Sequence, residues 1–359
     1  MVRCDSSTAL NPGDRAVVRG KIYPFTARHG GYGRLMTRRG YVGTLYLNRS
    51  SLLLRDTLHR ELSPKHLSLF LHERAVARLD RLALAPDEQA LCNAMTAGDR
   101  RSLSPALRAA YSRSGTSHLL AVSGLHVGIV FLLANLLLWW LPLFRHGHIL
   151  RNIAVILLIW LYAATTGFPP SVVRAALMFS VLQFALASSS EYVGMNTLAG
   201  VAFVMLLFHP DYLFDISFQL SFIAVAGIIA WGLPLCRLLR TRRKSIDMLT
   251  ATLAIGFSAS AATAPLISHT FGQISVVGLA LNPVVILLSY VVVGSCTLWL
   301  VIPGTALAPL FSVVAGFAAR AQNELIRAAA ALPAAALDIR LTTTQCWSVY
   351  GLFIFATLL

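Results

Sequence analysis

The sequence predicts an all-α polytopic membrane bundle of about seven to eight spans, preceded by a partial β-region and short helices. Three observations carry this. Of 359 residues, 56% are hydrophobic and 13% charged, with mean hydropathy +0.67, whereas a typical soluble domain is about 25% charged. Apolar runs recur from residue 119 onward, several near the roughly 20 residues that cross a bilayer. The formal charge of +15 is uneven, about two thirds of it lying before Ser117, so a basic front end precedes the greasy remainder.

The elements divide the chain into a β-region over 1–60, an amphipathic helical connector over 61–117 and a membrane domain over 118–359. Alternation from Ala16 to Tyr23 and from Tyr41 to Leu47, interrupted at Gly30-Gly31-Tyr32-Gly33, predicts short antiparallel strands. Two or three strands make no independent domain. Either the segment packs on a partner or the chain begins partway through a small β-domain, and the second is expected. Residues 64–82 place Leu67, Phe70, Leu71, Leu79 and Leu82 on one helical face and Arg74, Arg78 and Arg81 on another. The basic face either meets a polyanion, lies on anionic lipid or is simply solvated. Two short helices follow, Pro86 to Met95 stopped by Gly98, and Pro105 to Ser112 capped by Ser104 and stopped by Gly115, both with ordinary start and stop signals.

Candidate spans run about 119–141, 149–168, 172–188, 193–209, 213–236, 249–268 and 274–302, the third and fourth being short. Gly304 to Leu332 is half apolar, with Arg320, Glu324 and Arg327 at helical spacing. It predicts either a surface-lying helix or a marginal span. Cys346 to Leu359 is too short to cross, and the chain is expected to be cut there. The basic cluster Arg237, Arg240, Arg242, Arg243 and Lys244 should be cytoplasmic, and counting spans backward puts Arg145 and Arg151 on the same side, as the positive-inside rule asks. The N-terminal region then lies outside. With no signal peptide at its start, its export predicts earlier spans.

Chemistry concentrates where the first span opens, in His118-Leu-Leu-Ala-Val-Ser-Gly-Leu-His-Val. Polar groups in hydrocarbon are costly unless satisfied, and intramembrane ionisable residues usually serve a function. On a continuous helix Ser123 lies about 7.5 Å and His126 about 12 Å below His118. Arg174 opens the third span, Asp215 the fifth with Gln219 and Ser221 on its first turns, and Asn282 lies about 12 Å down the seventh. With Gly124 these residues predict an outward-facing polar vestibule. Duller roles stand beside it. Ser123-Gly124 permits close helix approach, Arg174 snorkels to headgroups where the functional reading has it pair with Asp215 and touch an anion, and the aromatics Tyr212, Phe218, Phe222 and Trp231 pack the bundle.

Several chemistries are disfavoured. Five scattered cysteines lack C-x-x-C spacing, and His146-Gly-His148 has no further ligands nearby, so neither a metal nor a cofactor is expected. No phosphate-binding G-x-x-x-x-G-K-[ST] loop is present, so any pumping is powered elsewhere. Ser123 beside a histidine suggests an intramembrane serine hydrolase. On a continuous helix, however, His126 is turned away from Ser123's surroundings and His118 is not placed as a base. The same helical geometry separates His118 from His126 too far to share one metal ion.

The stretch from His118 to Val127 resembles the hallmark of the ComEC-type competence proteins, polytopic channels of bacterial transformation. Further stretches resemble the family in order: Thr96-Ala-Gly-Asp-Arg100, Gly167-Phe-Pro-Pro-Ser-Val-Val-Arg-Ala175, His209-Pro-Asp-Tyr-Leu-Phe-Asp-Ile-Ser-Phe-Gln-Leu-Ser-Phe222, and Phe271-Gly-Gln-Ile-Ser275 with Asn282-Pro-Val284. The resemblance covers about 90–359. It implies a channel for single-stranded DNA in the bacterial cytoplasmic (inner) membrane. The N-terminal part would be an extracytoplasmic OB-like domain, and His118, Ser123, Gly124, His126, Arg174, Asp215, Gln219, Ser221 and Asn282 the motif positions. It also implies an outer DNA-binding receptor, a cytoplasmic helicase-like motor ATPase, surrounding lipid and a homo-oligomeric option. The family's N-terminal spans and its metallo-β-lactamase-like domain have no counterpart here, so no nuclease activity is expected of this chain. A small-anion or lipid-linked-substrate transporter is the alternative reading.

Overall fold

The computed structural model describes residues 2–4, 15–24, 33, 37, 42–47, 51–56, 64–187, 194–273, 275–302, 307–332 and 337–358. Two compact units emerge, Met1–Leu71 and His72–Leu359.

In the first unit the strands are β1 (Val2–Cys4), β2 (Arg15–Val18), β3 (Ile22–Pro24), β4 (Gly43–Leu47) and β5 (Leu52–Asp56). They form a three-stranded sheet in the order β1-β4-β3 and a two-stranded ladder β2-β5. The expected antiparallel pairing holds for β3 with β4 and β2 with β5, whereas β1 runs parallel to β4. A three-residue strand carries too little alternation to be read from sequence, so its partner and direction were invisible. The glycine-rich turn at Gly30 to Tyr32 lies outside the described residues.

Helices follow: α1 (Pro64–Leu79), α2 (Pro86–Thr96), α3 (Pro105–Arg113), α4 (Gly124–Leu137), α5 (Gly147–Thr165), α6 (Pro170–Ala187) and α7 (Gly194–Phe208). Beyond them come α8 (Ile216–Gly227), α9 (Leu233–Leu238), α10 (Lys244–Phe271), α11 (Val276–Val301), α12 (Ala308–Ala330) and α13 (Thr343–Leu358). A π-helical turn, Ile228–Gly232, joins α8 to α9. Pro234 explains it, because proline offers no amide and its ring crowds the carbonyl four residues back, opening the turn. Among the described residues, five helical stretches can cross a membrane by length and composition: Gly124–Leu143, Gly147–Thr165, Ile216–Leu238, Ile246–Phe271 and Leu281–Val301. The apolar stretches Pro170–Ala185 and Gly194–Phe208 are shorter.

The second unit is organised around α4, which buries two faces. Leu125, Ile129 and Leu133, one helical turn apart, join a core built from α2, α3, α11 and α12. Val127, Val130 and Ala134 join another, with Val155, Ile159, Val172 and Ala176 of α5 and α6. A helix that packs on two faces is held between neighbours, although Leu132 and Leu136 of α4 remain exposed.

The described part of Gly304 to Leu332 holds α12, a docked helix rather than a free surface one. Ala315, Ala318, Ala319 and Ile326 are buried, and polar residues beside them bond across the interface. Tyr111 donates to Asn323 Oδ1 at 3.1 Å, Gln322 Nε2 donates to Tyr111 at 3.3 Å, and Asn323 Nδ2 donates to the Asp87 carbonyl at 3.2 Å. Arg327 pairs with Asp87 and Glu324. These contacts fasten α2 and α3 to the bundle.

Helices α2 and α3 match the expected segments. Ser104 accepts from Leu107 N at 3.2 Å as the cap of α3, and Gly98 and Gly115 take φ of +82° and +74°, the left-handed region where glycine carries no Cβ penalty. The predicted apolar face of α1 is partly corrected. Leu79 and Leu82 are buried, but so are Ala75 and Val76, whereas Leu67 and Phe70 are exposed. Arg74, Arg78 and Arg81 are exposed at their side chains. Arg78 is also structural: its Nη1 donates to the Leu300 carbonyl at 3.4 Å and its carbonyl accepts from Trp299 Nε1 at 3.3 Å. A cation there complements the negative end of α11.

Candidate functional site: the opening of α4

The first span does not start at His118. Ser117–Leu120 form a short 3-10 turn, Ala121 is extended, and α4 begins at Gly124 with Ser123 as its N-cap. The continuous-helix ruler used for depth therefore fails above Ser123. Its corollary fails too: Ser123 and His126 meet, with Ser123 Oγ 2.9 Å from His126 Nδ1 and the Ser123 amide donating to the same nitrogen at 3.0 Å. The pair is a capping-box arrangement with histidine where glutamate or glutamine usually stands.

This contact defines what the histidine can do. Because Nδ1 accepts a backbone N–H, the ring proton belongs on Nε2, and Nε2 is buried without a hydrogen-bond partner. A general base that activates Ser123 would have to charge a fully buried ring while surrendering its amide contact, with no acceptor on Nε2 to stabilise the imidazolium. The arrangement suits an anchor for the helix start better than a catalytic dyad.

Four other stretches of sequence close around this opening. Gly98 presses on it from one side, where a Cβ would come within 3.2 Å of Val122 Cγ2. From α6, Ser171 Oγ donates to the Val122 carbonyl at 2.9 Å, and the guanidinium of Arg174 lies against Gly124, its Nη2 3.4 Å from where a Cβ would stand. From α8, the Phe222 ring underlies Arg174, 5.5 Å from guanidinium carbon to ring centroid, a cation–π distance. Phe222 continues through Phe218 at 4.3 Å, Tyr212 at 6.3 Å and His209 at 4.9 Å as a run of ring contacts. The start of α11 joins through Ser275 and Gly278. Gly115 has no room for a Cβ beside Ser275, and Gly278 is equally tight against the Ser114 carbonyl, 2.8 Å from a would-be Cβ.

Arg174 is the unusual member. It is 4% exposed, its Nε and Nη1 have no hydrogen-bond partner, and no ion pair engages it among the described residues. The anticipated alternatives of snorkelling or pairing with Asp215 give way to stacking on Phe222. Asp215 caps α8, accepting from Ser217 N at 2.8 Å, and Gln219 Nε2 donates to the Leu213 carbonyl at 2.8 Å. Both therefore brace the turn into α8. Ser221 is half-buried on that helix.

His118 is exposed beside the opening. Asn282, half-buried on α11, holds Oδ1 buried and without a partner, next to Leu281, which packs on the α4 core. The structure thus brings Ser123, Gly124, His126 and Arg174 into one cluster and leaves Asp215, Gln219 and Asn282 on its surrounding helices. Sequence reasoning took Gly98 and Gly115 for helix stops, with Gly98 also inside a stretch resembling the family. Their packing against Val122 and Ser275 left no signal in a single chain. Among the described residues no group of three or more His, Cys, Asp or Glu could hold a metal ion.

Comparisons with known proteins bear on the whole of this arrangement. The chain is 33% identical over 204 residues to ComE operon protein 3 of Bacillus subtilis (strain 168), an alignment covering 55% of this chain and 24% of that protein. It is 29% identical over 201 residues to an uncharacterized protein of Aquifex aeolicus (strain VF5), covering 55% of this chain and 45% of that protein. The chain thus spans less than half the length of either relative. No solved structure matches it. The family model described as "Competence protein" matches residues 95–359, from the end of α2 through the last helix, and so takes in all five stretches that meet at the α4 opening. This multi-pass membrane protein belongs to the Competence protein family.

Proposed function

We propose that the bundle conducts a single strand of DNA across the bacterial cytoplasmic membrane during natural transformation. One observation carries the reading beyond family membership: four separated stretches, from Gly98 to Gly278, close on the opening of α4 and leave there a buried cation with no ion pair among the described residues. Bundle packing by itself does not call for such a residue, because an intramembrane arginine is costly and usually lines a path or pairs with a ligand.

On this reading α6 and α7 count as further spans, giving seven, and the basic loop Arg237 to Lys244 lies in the cytoplasm. The opening of α4 faces outward as a polar vestibule. The N-terminal β-region, OB-like and extracytoplasmic, gathers the polyanion through its positive charge. A cytoplasmic helicase-like motor ATPase supplies the work and an outer DNA-binding receptor delivers the strand. Nuclease chemistry is assigned elsewhere, and self-association of the chain is compatible with this path.

The test is uptake of labelled DNA into the cytoplasm of a knockout strain. Wild type restores it, while His126→Ala and Arg174→Ala, present in the membrane at wild-type levels, do not. Normal transformation in the knockout refutes the reading.

A further inference from the structure

The opening of α4 has a polarity that its own residues do not neutralise. The first amides of a helix have no intrahelical acceptor. In α4 those of His126 and Val127 turn back to the Ser123 carbonyl, at 3.1 and 3.4 Å, and that of Ser123 goes to His126 Nδ1. The amides of Gly124 and Leu125 are left at the helix end. This 14-residue helix also presents the positive end of its dipole there.

Arg174 aggravates the imbalance. Its guanidinium rests on Gly124, so a buried cation abuts the positive pole of a helix. Like poles in a low-dielectric setting repel, and the cation–π contact with Phe222 offsets that only partly. An anion that touches both converts the repulsion into two attractions. Ser123, Gly124 and Leu125 are half-buried, so the amide side of such a seat is open to a ligand.

We propose that the N-terminus of α4 and Arg174 together hold one phosphodiester of the conducted strand, an inference that rests on the bundle being a DNA path. A phosphodiester offers two anionic oxygens, one for the outward amides and one for the guanidinium fork. A single such seat suits conduction, which requires binding weak enough to release.

The test uses the full chain in lipid nanodiscs and a fluorescent thymidine oligonucleotide, read by anisotropy over a salt series. Arg174→Gln should weaken binding about tenfold or more and lower the slope of log affinity against log salt by about 0.7. Arg174→Lys keeps the slope and recovers part of the affinity. An oligonucleotide with an uncharged methylphosphonate backbone should not sense position 174. Because Arg174→Gln also removes the contact with the Phe222 ring, Gly124→Pro serves as a second variant. Proline is favoured at the first helical position and the extended Ser123 suits a following proline, yet one outward amide is lost, predicting a several-fold weakening.

If wild type binds the strand and both variants bind it equally well, the seat is refuted while the DNA reading stands. Should wild type bind no strand in any lipid, both fall. If position 174 instead alters only the response to added phosphatidylglycerol, the seat holds a lipid headgroup and the proposal is overturned.

Discussion

Replacing Gly115 with alanine probes how the segment entering the site is fixed. Gly115 has φ +74°, which costs a side-chain-bearing residue about 1–2 kcal/mol. Its added Cβ would also overlap Ser275 Cβ and lie 2.8 Å from Ser275 Oγ, and overpacking of this kind adds about 1–3 kcal/mol. The sum is a loss of about 2–5 kcal/mol. Gly167 supplies the control, since it has φ +83° but no atom within 4 Å of a would-be Cβ, so Gly167→Ala should lose only the backbone share. Detergent-denaturation titrations of the two variants measure the difference. Ser275→Gly removes the obstructing atoms at the cost of the cap it provides to Gly278 N, only about 0.3 kcal/mol when glycine takes the cap position. The double variant Gly115→Ala/Ser275→Gly should therefore be more stable than the sum of the single losses implies. Equal losses at 115 and 167, or strict additivity with position 275, would refute the idea that these motifs hold each other in place.

Further expectations concern neighbouring contacts. The Arg101 guanidinium and amide hold the Asp99 carboxyl below the usual aspartate range. A depressed folded-state value stabilises above the unfolded pKa and is lost as pH falls through the folded one. The melting difference between wild type and Asp99→Asn should thus be present at neutral pH and vanish in acid, and it should be no more than about 1 kcal/mol because Arg101 is largely exposed. Tyr111→Phe removes the hydroxyl shared by Asn323 and Gln322 and should cost about 1–3 kcal/mol in the same titration. A fluorophosphonate should leave Ser123 unlabelled, since His126 Nδ1 is held by the Ser123 amide; stoichiometric labelling would establish a hydrolase. In intact cells, Ser123→Cys and Gln219→Cys should react with a membrane-impermeant thiol reagent added outside, and protection of both would overturn the outward orientation.

Composition and periodicity by themselves determined a helical membrane chain, the short helices α2 and α3, and the stretches that matter. Those properties are local: an apolar run, a Ser-Pro start or a glycine stop is written in adjacent residues. The sequence also marked His126 and Arg174, because ionisable groups in apolar surroundings stand out in one dimension. Tertiary structure decided the rest. A turn and an extended residue before Gly124 moved the helix start, so that Ser123 and His126, expected to face apart, share a hydrogen bond. Which ring lies under Arg174, why Gly98 and Gly115 admit no side chain without strain, and how α12 binds α2 and α3 depend on pairs far apart in the chain. Such pairings follow from shape and hydrogen-bond satisfaction between helices. No single stretch of sequence encodes its partner, which is why the opening of α4 became a site only when the bundle closed around it.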